Sequence, residues 1–241
     1  MMNKILFLAD LHGNMPATLA LEEEMKKIQP DEVWFLGDCV GKGPESHKTT
    51  DWVRANCNHF IGGNWDKGCV EFSKNCPPGF ESDVFYWNQL GKERLEWLES
   101  LPLEDEVWIS GINFRLLHGR PSHKNFHNWL PTSEIIEGFT NKAGKKFGGF
   151  ICADCHQAYV REFNDGYAIN SGSVGNSLGT ARCHALLIEG EYGSKTAAPI
   201  SFKILSIPYD NQRAVKIVDD YPELPKADAY ITEVINGIYS R

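Results

Sequence analysis

Lys4-Ile5-Leu6-Phe7-Leu8-Ala9-Asp10-Leu11-His12-Gly13-Asn14-Met15-Pro16 is the stretch that decides the fold. Lys4 to Ala9 is a short β-branched and apolar run, and the loop residues Asp10, His12, Gly13 and Asn14 end it. Pro16 opens an apolar pattern at helical spacing (Leu19, Leu21, Met25, Ile28), which Gln29-Pro30-Asp31 breaks. The plan then repeats. Val33-Trp34-Phe35-Leu36 stops at Gly37-Asp38, Pro44 opens a helix through Trp52 and Val53, and His59-Phe60-Ile61 stops at Gly62-Gly63-Asn64. Strands separated by helices predict a parallel sheet built from right-handed crossovers.

Further along, Asp83 to Leu98 suits a helix, and Val107 to Ile109 with Phe114 to Leu117 reads as a strand pair joined through Gly111. Pro121 to Lys146 is polar and Gly-interrupted, a mixture of helix and loop. Late strands fall at Gly149 to Cys152, Ala158 to Phe163, Gly166 to Asn170, Ala185 to Ile188 and Ile200 to Ile207. Asn211 to Asp219 and Lys226 to Ile238 read as helices. With no repeat or long linker, residues 1–241 are expected to form one domain.

The chain has 241 residues, and 32 acidic against 24 basic side chains leave a formal charge of −8. That balance argues against a nucleic-acid partner. No apolar stretch is long enough to span a bilayer, so no membrane partner is expected. The N-terminus lacks the apolar core and cleavage site of a signal peptide. Seven cysteines are an odd number, which fits reduced thiols and a cytoplasmic location.

Each early strand ends in a ligand type: Asp10-Leu11-His12, Gly37-Asp38, then Gly63-Asn64-Trp65-Asp66. Leu116-Leu117-His118-Gly119 and Ile151-Cys152-Ala153-Asp154-Cys155-His156 repeat the plan later. Carboxylate, imidazole and amide oxygen converging at strand ends form the donor set of a divalent metal. Singly, each motif is an ordinary turn; their order in one chain is what points to a site.

The ordered set resembles the calcineurin-like metallophosphoesterase superfamily. Asp10-Leu11-His12-Gly13-Asn14-Met15-Pro16-Ala17, Gly43-Pro44 and Asn170-Ser171-Gly172-Ser173-Val174-Gly175 are similar to its bacterial branch of phosphodiesterases and diadenosine-tetraphosphatase-related phosphatases. The resemblance implies a four-layer α/β/β/α sandwich with two divalent metals. Mn²⁺ is the leading expectation, with Fe, Mg²⁺, Ni²⁺ and Zn²⁺ as alternatives. By position, Asp10, His12 and His156 would bind one metal, Asn64, His118 and Asp154 the other, and Asp38 would bridge them. The activity implied is attack of a metal-bound hydroxide on phosphorus, with Asp38, Asn64 and His118 as the catalytic set. Asn64 would contact substrate phosphate, Arg182 and the Lys42-Gly43-Pro44 loop would contact it or fix the site, and Asp66 would orient a ligand histidine from behind.

Two positions depart from the family pattern. Asp154 stands where a histidine ligand is expected, which favours harder cations. Trp65 stands where many members carry the histidine that protonates the leaving group, and indole cannot act as an acid. The departures leave a small phosphodiester or dinucleoside polyphosphate as the expected substrate. A phosphomonoesterase or protein phosphatase, and a non-catalytic scaffold with an impaired second metal site, are the alternatives. Relatives self-associate, so a homo-oligomer is an expectation, although no interface signature is visible.

Cys152-Ala153-Asp154-Cys155-His156 also satisfies the C-x-x-C-H haem pattern, but that reading leaves Asp10, His12 and Asp38 unexplained. Cys39, Cys57 and Cys183 read as small buried residues. His123, His127 and His184 lack metal spacing and read as solvated or hydrogen-bonded side chains. Phe85, Tyr86, Trp87 and Trp97 fit a core, a dimer contact or a lid.

Overall fold

The computed structural model describes residues 2–120 and 125–241. Two five-stranded mixed sheets lie face to face. The first has the order β10-β9-β1-β2-β3, from β1 (Asn3–Leu8), β2 (Glu32–Phe35), β3 (His59–Phe60), β9 (Cys183–Gly190) and β10 (Ser201–Ile207). The second has the order β4-β5-β6-β8-β7, from β4 (Glu104–Ile109), β5 (Ile112–Leu117), β6 (Gly149–Cys152), β7 (Tyr159–Phe163) and β8 (Gly166–Asn170). β1, β2 and β3 run parallel, as do β5, β6 and β8, while β9, β10, β4 and β7 join antiparallel. The expected crossovers therefore build only the centre of each sheet.

Alternation along β1 explains the layering. Ile5, Phe7 and Ala9 enter the core between the sheets, with Trp34, Phe114, Ile151 and Leu186. Leu6 and Leu8 point the other way, beneath the helices. Because both faces are covered, the strand reads as one apolar run. Each fully buried Leu, Ile or Phe side chain contributes about 1.5–3 kcal/mol.

Helices α1 (Met15–Ile28), α2 (Ser46–Asn56), α3 (Asn64–Lys74), α4 (Val84–Ser100), α6 (Asn211–Ile217) and α7 (Ala227–Asn236) cover the first sheet. Asn14 caps α1, its side chain accepting from Ala17 N–H at 3.2 Å. Gln29 ends that helix in the left-handed region, φ 51°. The outer face of the second sheet packs on Phe126, Leu130, Ile135 and Phe139, around the short helix α5 (Thr132–Ile135). The buried Arg115 ties that thin fourth layer to the sheet, donating to the Thr140 carbonyl at 2.9 Å and to Glu104 at 2.6 Å. The α/β/β/α architecture matches the expectation.

Two elements differ from the sequence reading. The helix α3 was not expected, and it begins at the ligand-type residue Asn64. The Asp83–Leu98 helix is broken at Gly91, whose φ of 63° and ψ of 175° no helix accommodates. Pro121 to Lys124, within the mixed helix-and-loop stretch, lie outside the described residues, His123 among them.

The β4–β5 hairpin turns through Ser110 and Gly111, both at positive φ, as a two-residue loop requires. This end of the second sheet is laced to the first by backbone bonds: Ser110 N–H to the Glu191 carbonyl at 3.0 Å, and Gly193 N–H to the Trp108 carbonyl at 2.8 Å. β5 runs from this end toward His118.

Candidate metal centre

Five strand ends converge at the other end of the sandwich. Asp10 and His12 follow β1, Asp38 follows β2, Asn64 follows β3, His118 follows β5, and Asp154 and His156 follow β6. Backbone bonds fix the loops to one another. Asp10 N–H donates to the Gly37 carbonyl at 2.9 Å, His12 N–H to the Asp38 carbonyl at 3.2 Å, and Ala153 N–H to the His118 carbonyl at 2.8 Å. Asp154 N–H reaches across the two sheets to Asp10 Oδ2 at 3.2 Å. Asp10, His12, Asp38, Asp154 and His156 all sit in the left-handed region, with φ between 46° and 64°. Such backbone costs about 1–3 kcal/mol per non-glycine residue and clusters where function demands it.

The loops also come unusually close. A Cβ on Gly63 would lie 2.0 Å from Asp38 Oδ1, so only glycine lets the carboxylate stand there.

Each imidazole is aimed by a main-chain carbonyl. His12 Nδ1 lies 2.8 Å from the Val40 oxygen, His118 Nδ1 2.7 Å from the Leu36 oxygen, and His156 Nδ1 2.6 Å from the Asn176 oxygen. A carbonyl can only accept, so each Nδ1 carries a proton and Nε2 is the nitrogen each ring turns toward the carboxylates.

Those nitrogens meet the carboxylates. His12 Nε2 and His156 Nε2 are 3.2 Å apart, and Asp10 Oδ1 lies 3.6 and 3.5 Å from them. His118 Nε2 is 3.0 Å from Asn64 Oδ1, 3.2 Å from Asp38 Oδ2 and 3.7 Å from Asp154 Oδ1. Asp38 Oδ2 also lies 3.8 Å from His12 Nε2. Among the described residues, two buried groups have donor atoms within 4.8 Å of one another: Asp10, His12, His156 and Asp10, Asp38, His118. Asp154 faces His118 rather than pointing away, with its side chain 18% exposed.

This donor set fits divalent cations. Asp10 Oδ1 is buried without a hydrogen-bond partner, and two imidazole nitrogens face each other with no proton to share. Electron pairs gathered in this way away from water need a positive charge. The titration directions agree. Burial, with Asp38 and Asp154 adding, holds the Asp10 carboxyl well above its usual range. Burial and the nearby Lys42 ammonium push His12 and His156 well below theirs. Burial opposes protonation of His118, but Asp38, Asp10 and Asp154 together raise it well above the usual value.

Asp66 has another task than the one expected. Its Oδ2 accepts from Asp38 N–H at 2.7 Å and Gly63 N–H at 3.0 Å, and its Oδ1 from Cys39 N–H at 3.1 Å. It holds the loop that carries Asp38 instead of a histidine ring, a job the backbone carbonyls have taken. Burial and Asp38 push its carboxyl up to about 6.

A buried cation completes the site. Lys42 donates to Asn176 at 3.1 Å, Asn176 donates to the fully buried Glu233 at 3.0 Å, and Arg241 donates to Glu233 at 3.1 Å. Burial brings the Lys42 amine down to about 8, while Glu233, Asp10 and Asp38 support its charge. Asn176 and Glu233 gave no sequence signal, because neither lies in a strand-end motif.

Arg182 is not brought to this centre; its guanidinium donates to the Ser206 hydroxyl at 2.9 Å and carbonyl at 2.8 Å. Cys152 and Cys155 are free buried thiols bonded by the Asn170 amide, which leaves no exposed pair for haem. Cys39, Cys57 and Cys183 are buried as expected. His184 bonds Ser177, Thr180 and Ser206, and His127 stacks on Trp129. Tyr86 is core, whereas Trp87 is half-buried.

Comparison with known proteins agrees with this geometry. An uncharacterised protein of Methanocaldococcus jannaschii, MJ0912, is 29% identical over 195 residues, 71% of this chain and 76% of that protein. A metallophosphoesterase from Sphaerobacter thermophilus shares the fold with a TM-score of 0.74 at 21% identity, covering 98% of this chain and 99% of that one. Hypothetical protein PH1004 from Pyrococcus horikoshii does so with a TM-score of 0.77 at 19% identity and the same coverage. Residues 3–167, from the start of β1 to β8 and including all seven ligand-type side chains, match the description calcineurin-like phosphoesterase. The chain belongs to that family of phosphoric ester hydrolases.

Proposed function

We propose that the protein hydrolyses small phosphodiesters or dinucleoside polyphosphates with two divalent cations, Mn²⁺ foremost. The observation that carries this is the convergence of three Nε2 atoms on Asp10 and Asp38, with Asp10 Oδ1 buried and without a hydrogen bond. In this reading Asp10, His12 and His156 hold one cation, Asn64, His118 and Asp154 the other, and Asp38 lies between. Bound there, such cations polarise phosphoryl oxygens and acidify a water.

The chain's own residues do the rest. Asn64 is exposed at the start of α3, so its amide N–H can donate to a phosphoryl oxygen as negative charge develops. Lys42 offsets the charge that Asp10, Asp38 and Asp154 build up opposite the phosphate. Asp66 keeps Asp38 in place through the loop amides. Trp65 supplies no proton, which favours leaving groups stable as anions, such as nucleotides or phenolates. Arg182 is left out of the machinery because its guanidinium is held by Ser206.

The test is metal analysis of the purified protein with hydrolysis of bis(p-nitrophenyl) phosphate and p-nitrophenyl phosphate, with and without Mn²⁺. Two cations per chain and metal-dependent diester cleavage are expected. Asp38→Ala should lower metal content and reduce kcat/KM at least ~10³-fold, since bound cations supply several kcal/mol and ~1.4 kcal/mol is tenfold. Near-wild-type activity of Asp38→Ala at saturating Mn²⁺ would refute the assignment.

A further inference from the structure

A slot opens beside Asn64, between α3 and the start of α4. Asn64 forms one wall, and Trp65, Phe72, Phe80, Asp83 and Trp87 line much of the rest. Its volume is about 160 Å³. An apolar cavity of about 150 Å³ takes up benzene, so a single six-membered ring fits. The slot adjoins the metal centre at two residues. Asn64 belongs to both, and the Trp65 indole meets the His12 ring edge-on, with centroids 5.8 Å apart. Phe72 and Phe80 pack against each other at 4.9 Å, and Trp65 is braced edge-on by the buried Tyr86.

Aromatic walls alone would suit any flat ring. Asp83 narrows the choice. It sits at the N-cap of α4 without making a side-chain capping bond; Ser82 donates to its carboxylate, whose remaining lone pairs add a charged acceptor to a lining that is otherwise aromatic apart from Asn64, Gly68 and Cys69. A ring with an outward N–H donor satisfies both features, as carboxylates do when they accept from the exocyclic amine of cytosine. We propose that this slot is the subsite for an amino-bearing nucleobase, with cytosine as the single-ring case, on the organic arm of the phosphoester. This rests on the phosphoesterase reading for the position of the phosphate.

Trp65 is then more than a lost acid: in the place of a proton donor the chain has a wall for a base. Stacking on aromatic side chains strengthens binding of a base by about tenfold or more.

The experiment is calorimetric titration of the Mg²⁺-supplemented protein with cytidine 5′-monophosphate, uridine 5′-monophosphate and ribose 5-phosphate, which share the phosphate and differ in the base. The cytidine nucleotide should bind at least ~10-fold tighter than ribose 5-phosphate, with the uridine nucleotide between them. Phe80→Ala, at a position 44% exposed, should remove most of that advantage while ribose 5-phosphate, which has no base, binds as before; an unchanged unfolding midpoint checks that the fold is retained. Asp83→Asn should erase the preference for cytidine over uridine. Equal affinity for the cytidine nucleotide and ribose 5-phosphate, or an advantage that survives Phe80→Ala, overturns the proposal. Binding is read without turnover, so failure of the hydrolytic reading registers separately, in the absence of ester cleavage.

Discussion

At position 154 an aspartate occupies the place of an imidazole, and its Oδ1 stands 3.7 Å from His118 Nε2. Asp154→His should move cation preference from Mn²⁺ and Mg²⁺ toward softer Zn²⁺, read by competition between metals during loading. An unchanged selectivity would take Asp154 out of the ligand set. The backbone permits this exchange. At φ 64°, Asp and His are tolerated where a β-branched residue would be strained. His184 gives a prediction away from the centre. Burial and then Arg182 hold its imidazole below the usual 6.5, so it is neutral in the fold where the unfolded chain is protonated. The unfolded state then binds more protons, and stability rises with pH through about 6.5 and falls below it. His184→Gln should therefore lose less Tm than the wild type between about pH 7.5 and about pH 5.5. The strand-end ligands were legible because each is a local motif. The Lys42–Asn176–Glu233 chain was not, since its partners lie 134 and 57 residues apart. Asp66 was legible as a supporting residue but not in its object, because which amide a carboxylate accepts is decided by how three loops meet.

Among the elements, α3 connects sequence to chemistry most directly. It starts at Asn64, and Asp66 in its first turn reaches back to the Gly63 amide. The sequence shows a Gly-Gly-Asn turn there and hides the helix, since Gly68 interrupts its interior. Gly63→Ala should pit the new methyl against the Asp38 carboxylate, 2.0 Å from its Cβ. A destabilisation of about 1–3 kcal/mol is expected, together with loss of bound metal, measured by denaturant unfolding and metal analysis. Gly91 explains the other misreading. Asp83 to Leu98 has helical periodicity on both sides of it, and periodicity does not register a single residue at φ 63°. The strands were the more legible elements because each is buried on a defined face. β1 reads as continuous apolar sequence since Phe7 and Leu8 serve different cores.

Across the whole molecule, three cores separate four layers, and the first sheet supplies Asp10, His12, Asp38 and Asn64 while the second supplies His118, Asp154 and His156. A cation held by both sheets adds to the stability of the sandwich by mass action, about 4 kcal/mol at a thousandfold excess over its Kd. Chelation should therefore lower Tm by about 8–16 °C at that excess, at about 2–4 °C per kcal/mol for a chain of this size, and should affect Asp38→Ala much less. Equal shifts in both proteins would separate metal binding from this site. No helix among the described residues is long and apolar enough to cross a membrane. The sandwich is thus fastened differently at its two ends. Around Ser110 and Glu191 the fastening is peptide to peptide throughout, while at the strand tips the bonds from Val174 N–H to Ala9 and from Gly175 N–H to Asp10, both 2.9 Å, stand beside a cluster of carboxylates and imidazoles drawn from both sheets. Mechanically this is a clothespin, with a fixed spring at one end and jaws at the other that a bound cation would tighten. Loss of the proposed cation would then weaken catalysis and the sandwich together, at the end where the substrate arrives.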